Sequence, residues 1–155
     1  MNNAPNIIIS AEAPENPGAM ELIHALDAEL LMLYPAESVH NLDYAETQSE
    51  GGTFLVARQG GEALACGGMR RIDADCTEIK RVYVAQAARG LGLGRQIVER
   101  LETAARDIGY TRIKLETGTR QTAAQALYTS MGYTVIQCFG EYATDPYSVC
   151  MEKKL

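Results

Sequence analysis

The first third of the chain changes from a β-branched run to a segment with helical spacing. Consecutive isoleucines predict a strand over Asn6–Ser10. Between Met20 and Leu33 apolar residues recur every three or four positions, which predicts an amphipathic helix ending near Pro35. The polar segment Ser38–Gly52 has no clear period, and we expect it to hold a short helix and a mobile loop.

Strand patterns dominate the middle of the chain. The apolar runs Thr53–Ala57 and Glu62–Gly68 flank the glycine-rich connection Arg58–Gly61, which predicts a hairpin. The elements predicted after it are a strand Glu78–Val84, a helix Gly92–Ile108, a strand Ile113–Glu116, a helix Thr122–Ser130, and strands Val135–Cys138 and Val149–Glu152. This order predicts a mixed α/β sheet with helices on its faces.

Length and charge narrow the class of protein. The chain has 155 residues, of which 46% are hydrophobic, so we expect a single domain spanning residues 1–155 with a substantial core. The formal net charge of -6 argues against binding to a phosphate backbone, and no nucleic-acid partner is expected. No stretch approaches about 18 consecutive apolar residues and no signal-peptide pattern is present, so no membrane partner is expected either.

The cysteines give little sign of special chemistry. Cys66, Cys76, Cys138 and Cys150 lack C-x-x-C spacing, and the chain has only two histidines, so no metal site is expected. We interpret the cysteines as reduced core residues of a cytoplasmic protein. No histidine lies in a motif that would activate one of them as a nucleophile.

A glycine-rich turn lies between a predicted strand and a predicted helix. Arg89–Gly94 reads RGLGLG, and its spaced glycines allow a tight turn and close approach to the backbone. The helix start behind it offers unpaired N–H groups and a positive dipole, which suits a pyrophosphate. Gly94 is followed by Arg95 and Gln96, not by the lysine and hydroxyl residue of a P-loop, and the dinucleotide spacing is also absent. A merely flexible connection is the alternative.

The preceding strand breaks its own alternation. Apolar residues in Glu78–Val84 return to the same face only if one extra residue lies near Lys80–Val82, which predicts a β-bulge. A bulge separates neighbouring strands and leaves backbone groups available to an extended, amide-bearing ligand. A pyrophosphate site next to such a strand matches coenzyme A.

These residues resemble the GNAT superfamily of acetyl-CoA-dependent N-acetyltransferases. Arg89–Gly94 is similar to the superfamily's R/Q-x-x-G-x-G/A signature. A later motif, usually Asn-x-x-Ala-x-x-Leu-Tyr-x-x-x-Gly-Phe, is matched with Gln121 for the asparagine and Tyr133 for the phenylalanine. The resemblance is strong over Glu78–Tyr133 and weak before Thr53. It implies the GNAT-like acyl-CoA N-acyltransferase fold, a central twisted mixed sheet flanked by helices.

The resemblance also implies which residues would hold acetyl-CoA as co-substrate. Main-chain groups of Val82, Tyr83 and Val84 would meet the pantetheine arm. The pyrophosphate would be surrounded by Arg89, Gly90, Leu91, Gly92, Leu93 and Gly94, with Arg95 beside them. Gln121 takes the place of an asparagine that often contacts the cofactor in such enzymes.

Acetyl transfer to an amine needs a base, because an amine with a pKa of about 10.4 is almost fully protonated at neutral pH. Glu78 on the bulged strand is the predicted base. The alternatives are an ordinary strand carboxylate paired with Lys80 or Arg112, and Glu116 as the base. Tyr128 is the predicted acid for the departing thiolate, and the alternative is a ring packed in the core.

The sequence does not name the acceptor. Tyr34, His40 and Tyr44 lie in the segment expected to cover the acceptor site, and Tyr142 and Tyr147 lie between the last strands; packing or surface roles are the alternatives. We expect acetyl transfer to a primary amine of a small molecule. Acetylation of a protein or peptide and a non-catalytic acetyl-CoA-binding regulator are the alternatives, and a homodimer is left open.

Overall fold

One seven-stranded sheet, in the order β1-β2-β3-β4-β5-β7-β6, organises the chain. The computed structural model describes residues 6–41 and 44–155. The strands are β1 (Ile7–Ala11), β2 (Thr53–Gln59), β3 (Glu62–Arg71), β4 (Cys76–Val84), β5 (Arg112–Gly118), β6 (Thr134–Ile136) and β7 (Ser148–Lys154). The helices are α1 (Ala19–Leu33), α2 (Tyr44–Thr47), α3 (Leu93–Ile108) and α4 (Thr122–Ser130). β4 and β5 are parallel, and the other neighbouring strands are antiparallel.

The predicted order of elements is confirmed, and so is the mixed sheet. The long helices agree with the prediction to within one residue at each end. β6 is shorter than predicted, because Cys138 lies beyond the strand. The predicted Ser38–Gly52 segment contains α2, while its residues 42 and 43 lie outside the described part of the chain.

Two consecutive glycines close the predicted hairpin. Gln59 pairs with Glu62, so the loop between β2 and β3 has only Gly60 and Gly61. Their φ angles are 58° and 86°, which is the left-handed conformation that a tight two-residue hairpin turn requires at both positions.

The sheet is covered on both faces. On one face, α3 buries Ile97, Val98 and Leu101 completely. A Cβ atom at Gly67 of β3 would lie 2.6 Å from Cγ2 of Ile97, so α3 packs at a distance that only glycine permits. On the other face, α1 packs its apolar stripe onto β2 and β3 through Leu22, Ile23, Leu26, Phe54, Val56 and Cys66.

The predicted β-bulge in β4 is confirmed. Cys66 of β3 lies opposite Tyr83, and Gly68 lies opposite Lys80, so β4 has one residue more than β3 between these pairs. The extra residue falls within the predicted Lys80–Val82 stretch. A bulge bends its strand, so the end of β4 takes a different direction from its start.

Pairing between β4 and β5 stops where this bulge begins. The last register pair of the two parallel strands is Ile79 with Leu115. Arg81 has a φ of 61° and is the one non-glycine residue with a positive φ in the described part of the chain. Its buried guanidinium forms an ion pair with Asp27 of α1 and donates to the side-chain oxygen of Asn41 at 3.0 Å. The bulged conformation is therefore held by α1 and by the segment that follows it.

The interpretation of all four cysteines as reduced is wrong for one pair. Cys138 and Cys150 form a disulfide, whereas Cys66 and Cys76 are free and buried. Ile136 of β6 lies opposite Cys150 of β7, and this pairing brings the segment just after β6 next to β7. The interpretation of a reducing compartment loses its support at these two residues.

Across residues 6–41 and 44–155, the structure offers neither a membrane-spanning segment nor a metal-binding cluster. None of its helices is long and apolar enough to cross a bilayer. No group of three or more His, Cys, Asp or Glu side chains there is arranged to hold a metal ion.

The close approach of α3 to the sheet gives a stability prediction. Gly67→Ala should lower the free energy of unfolding by about 1–3 kcal/mol, because the new methyl group overpacks against Ile97. Urea unfolding measures the loss. In an Ile97→Ala background the same substitution should cost less, since the colliding methyl group is gone. Equal costs in both backgrounds would contradict this packing constraint.

Candidate active site

A cavity of about 110 Å³ lies where β4 and β5 diverge. Its walls come from these two strands, α1, α4 and the segments before β2 and before β7. Of the predicted site residues, Glu78, Val82, Gln121 and Tyr128 line it. Tyr34, His40, Tyr142 and Tyr147 also line it, whereas Tyr44 packs edge-on against Phe54 instead.

The glycine turn before α3 is open to an incoming ligand. Gly90 and Gly92 have φ angles of 88° and 76°, and nothing lies within 4 Å of a Cβ atom built on either. Gly92 is the N-cap of α3, and its carbonyl accepts from the Gln96 N–H. The N–H groups of Leu93–Arg95 precede the first intrahelical bond and are oriented toward the turn. This geometry provides a candidate anion site built from main-chain atoms.

The two arginines of the turn border this anion site. Arg89 contacts both carboxylate oxygens of Glu29 in α1, at 2.9 and 3.1 Å, and lies 5.5 Å from the Tyr83 ring centre. Arg95 donates to the hydroxyl of Ser130 in α4 at 2.6 Å. Both guanidinium groups therefore already have protein partners, and the exposed main chain is the more accessible part of the turn.

A free strand edge leads from the glycine turn to the cavity. Tyr83 and Val84 pair with β3 on one side. On the other side, β4 has no ladder partner beyond Ile79, because β5 diverges there. The Arg89 side chain donates to the Val84 carbonyl at 3.1 Å. The Val84 carbonyl is thus shared with Arg89, and the other main-chain groups of Val82–Val84 on this edge can bind an extended chain that carries amides, in the way another strand would.

Tyr34 joins the end of α1 to the start of α4. Its hydroxyl accepts from the Arg120 N–H at 3.0 Å and donates to Oε1 of Gln121 at 3.4 Å. A Cβ atom at Gly118 would collide with the Tyr34 hydroxyl, so glycine is required for this contact. Gln121 is therefore held at the cavity wall by the residue that follows α1.

Glu78 is completely buried, and both of its oxygens are engaged. Oε1 accepts from Nε and Nη2 of Arg70 at 3.0 and 2.8 Å, and Oε2 accepts from the Tyr142 hydroxyl at 2.6 Å. Burial and the neighbouring Glu78 carboxylate raise the pKa of Tyr142, so it remains a donor. The partner of Glu78 is Arg70, and neither Lys80 nor Arg112, the two alternatives considered from the sequence, pairs with it.

Glu116 has a different environment at the same cavity. It is partly buried, and Oε2 accepts from the Ser148 hydroxyl at 2.7 Å. Burial raises the pKa of Glu116 to about 7, against the lowering effects of the Ser148 hydrogen bond and of the nearby His40 and Lys80. A carboxylate with this pKa can both accept and release a proton near neutrality.

Tyr128 faces the cavity from α4 and is 7% exposed. Burial raises its pKa, so its hydroxyl is protonated at neutral pH. Among the described residues, this hydroxyl has no hydrogen-bond partner. The ring packs edge-on against Tyr133 with 5.7 Å between centres, so a core contact and an available donor coexist in one side chain.

The segment before β7 closes the cavity through a histidine–aspartate contact. Nε2 of His40 lies 2.8 Å from Asp145, which also accepts from the Ser38 hydroxyl and the Tyr147 N–H. Burial raises the pKa of Asp145, but these hydrogen bonds outweigh it and the pKa is lowered. The His40 ring also packs edge-on against Tyr142. The role of Asp145 was not predicted, because no local pattern marks a contact between residues so distant in sequence.

The family model described as "Acetyltransferase (GNAT) family" matches residues 19–133. The chain belongs to this family. It is 41% identical to the IAA acetyltransferase of Azospirillum brasilense over 153 residues, which cover 97% of this chain and 99% of the relative. It is 32% identical over 128 residues to the uncharacterized N-acetyltransferase YsnE of Bacillus subtilis, which cover 81% and 85% of the two chains.

Solved structures agree with this assignment. A protein of Klebsiella pneumoniae provisionally named acyl-CoA N-acyltransferase matches with a TM-score of 0.81 and 36% identity, over 96% of this chain and 97% of the other. The PaiA N-acetyltransferase of Thermoplasma acidophilum, solved with coenzyme A, has a TM-score of 0.77 at 17% identity, over 97% and 99%. The second likeness shows the fold alone. The predictions of a GNAT family member, its fold and N-acetyltransferase activity are confirmed.

Proposed function

We propose that this acetyltransferase moves the acetyl group of acetyl-CoA onto the primary amine of a small molecule. The observation that carries the proposal is the divergence of β4 from β5. It opens a main-chain edge that runs from the glycine turn to a cavity containing the Tyr128 hydroxyl and the Glu116 carboxylate. The groups that we assign to the anion site, the amide-binding edge, the acid and the base therefore lie along one path.

Acetyl-CoA supplies an activated thioester, and the chain supplies matching groups for each part of it. The N–H groups at the start of α3 would bind the pyrophosphate, with Arg89 and Arg95 at its sides. The main chain of Val82–Val84 would pair with the pantetheine amides. Gln121, already held by Tyr34, would lie beside the arm, and Tyr128 would lie at its sulfur end.

Two carboxylates compete for the role of base. Glu78 remains the prediction from the sequence, but its oxygens are held by Arg70 and Tyr142. Burial raises the pKa of Glu116 to about 7, and among the described residues its carboxylate accepts from one hydroxyl, that of Ser148, so we favour Glu116. Glu116 would accept the proton that the amine loses as the C–N bond forms. Tyr128 would donate its proton to sulfur as the C–S bond breaks, and would recover a proton from water.

The size of the cavity favours a small acceptor. The aromatic side chains of Tyr34, Tyr142 and Tyr147 line the cavity. Its volume of about 110 Å³ suits one compact chemical group of an acceptor. The Azospirillum relative is named IAA acetyltransferase, so IAA belongs in the first panel of compounds. Acetylation of a protein or peptide and a regulatory role without catalysis are the alternatives. Cytoplasmic location and a homodimer stay predictions.

The glycine turn should control acetyl-CoA binding. Gly92→Ala should weaken binding of acetyl-CoA at least about 10-fold, because alanine disfavours the left-handed conformation that opens the helix start. Titration calorimetry measures the affinity. Gly109, at the other end of α3, has a φ of 108° and provides the matched control. Gly109→Ala should impose a similar loss of stability and leave the affinity unchanged; equal weakening by both would reject the assigned site.

The two carboxylates can be separated by their pH–rate profiles. In the wild type, kcat/KM should rise as pH increases through about 7 and then level off, because Glu116 must lose its proton to act as a base. Glu116→Gln should lower kcat/KM by about 10²-fold and remove this inflection. Glu78→Gln should keep the inflection, whatever its effect on the rate. The reverse pattern would assign the base to Glu78.

Tyr128 can be tested by removing a single oxygen atom. Tyr128→Phe should keep the affinity for acetyl-CoA and lower kcat by about 10²-fold, since the ring packing remains and the proton donor is lost. Thiol release measures turnover, and calorimetry measures affinity. Tyr110→Phe is the control, because that hydroxyl donates to the Gly51 carbonyl away from the cavity. If turnover in Tyr128→Phe is unchanged, Tyr128 is not the proton donor and its role is structural.

A further inference from the structure

Lys80 lies at the cavity wall with its side chain largely buried, and it has no part in the proposed acetyl transfer. Its side chain is only 9% exposed. The Asn41 carbonyl lies 3.5 Å from Nζ, and the centre of the Tyr142 ring lies 5.5 Å away. The nearest carboxylate is that of Glu141, at 4.0 Å, and Glu141 is itself 58% exposed. Within the described residues, the one ion-pair partner of Lys80 is therefore distant and solvent-exposed, and the Glu78 carboxylate adds a favourable charge without contacting it.

The other basic groups near this wall are already paired. Arg70 contacts Glu78 at 2.8 Å, His40 contacts Asp145 at 2.8 Å, and Arg81 forms an ion pair with Asp27. Burying an ammonium group without a partner is costly, and buried charges in proteins are normally paired. Burial lowers the pKa of Lys80 accordingly. An anion that enters the cavity would give Lys80 a closer partner than Glu141.

Sheet register places Lys80 beside the favoured base. Ile79 and Leu115 are the last register pair of β4 and β5, and both belong to the core cluster under α3. The next residue of each strand, Lys80 and Glu116, therefore points to the opposite face, where both line the cavity. One wall of the cavity thus carries a positive and a negative group at the point where the strands separate.

We propose that Lys80 binds a carboxylate of the acceptor, so the substrate is an amine that also carries a carboxylate, such as an amino acid. This inference rests on the proposed function. The acceptor amine would lie toward Glu116 and its carboxylate toward Lys80. A polyamine would bring a second positive charge against Lys80. A phosphate dianion would place two negative charges among the carboxylates of Glu78, Glu116 and Glu141, whereas a carboxylate would place one there, beside Lys80.

Matched compounds test this directly. Thiol release should be measured for an amino acid, its carboxamide, its decarboxylated amine and the corresponding aminoalkyl phosphonate. The wild type should favour the carboxylate at least about 10-fold in kcat/KM, corresponding to one close ion pair of about 1.4 kcal/mol. Lys80→Met should abolish this preference, mainly by raising KM for the acid, and Lys80→Arg should restore part of it.

Lys114 provides the control variant. It lies on β5 opposite Glu78 in register, with Nζ 5.1 Å from the centre of the Phe139 ring, and it does not line the cavity. Lys114→Met should keep the preference for the acid. Thermal unfolding of each variant confirms that the fold is intact.

Several results would overturn the inference. Equal use of acid and carboxamide, preference for the phosphonate, or a preference that survives Lys80→Met would each do so. If no amine in the panel is acetylated, the acid and the carboxamide are titrated into the protein loaded with coenzyme A, and equal or absent binding rejects the carboxylate site. Failure of the proposed function gives a different result, because no amine of the panel would then release thiol, while the titration with acid and carboxamide would still report on the carboxylate site.

Discussion

The bulge at Arg81 is the constraint on which the functional site depends. A positive φ at a non-glycine residue is strained, and here the same residue's side chain opposes that strain by pairing with Asp27 in a buried setting. The bulge ends the ladder between β4 and β5 after Ile79. Without it, β4 would continue to pair with β5, and neither the free edge of Val82–Val84 nor the cavity would exist.

Environment gives the two glutamates of this cavity different chemistry. Glu78 and Glu116 lie on the neighbouring parallel strands β4 and β5, and both line the cavity. They differ in the side chains that contact their carboxylates. Arg70 and Tyr142 hold both oxygens of Glu78, and these contacts tie β3 to the segment before β7. Glu116 accepts one hydrogen bond from the part of the chain that is described, from the Ser148 hydroxyl, and its burial raises its pKa to about 7. Pairs of carboxylates whose surroundings separate their behaviour are typical of acid–base sites.

Local patterns predicted the half of the site built from neighbours in sequence. The glycine turn, the helix behind it and the bulge each follow from residues within a few positions of one another. Their local structure could therefore be predicted from the sequence. The Arg70–Glu78 pair, the His40–Asp145 contact and the Cys138–Cys150 disulfide could not be. Each of these contacts depends on the register between strands or on a loop that returns over the sheet. A local sequence pattern does not indicate which distant residue a side chain will contact.

This division also explains why the family is clear and the acceptor is not. The groups assigned to acetyl-CoA lie on contiguous elements from β4 to α4, inside the part that the family model matches. The part of the cavity wall that we assign to the acceptor comes from the end of α1, the segment around His40 and the connection into β7. Long-range contacts of Tyr34, Asp145 and Tyr142 join these segments. Substitutions there can change the shape and charge of the cavity without disturbing the bulge. Specificity for the amine can therefore vary while the donor site and the fold stay the same.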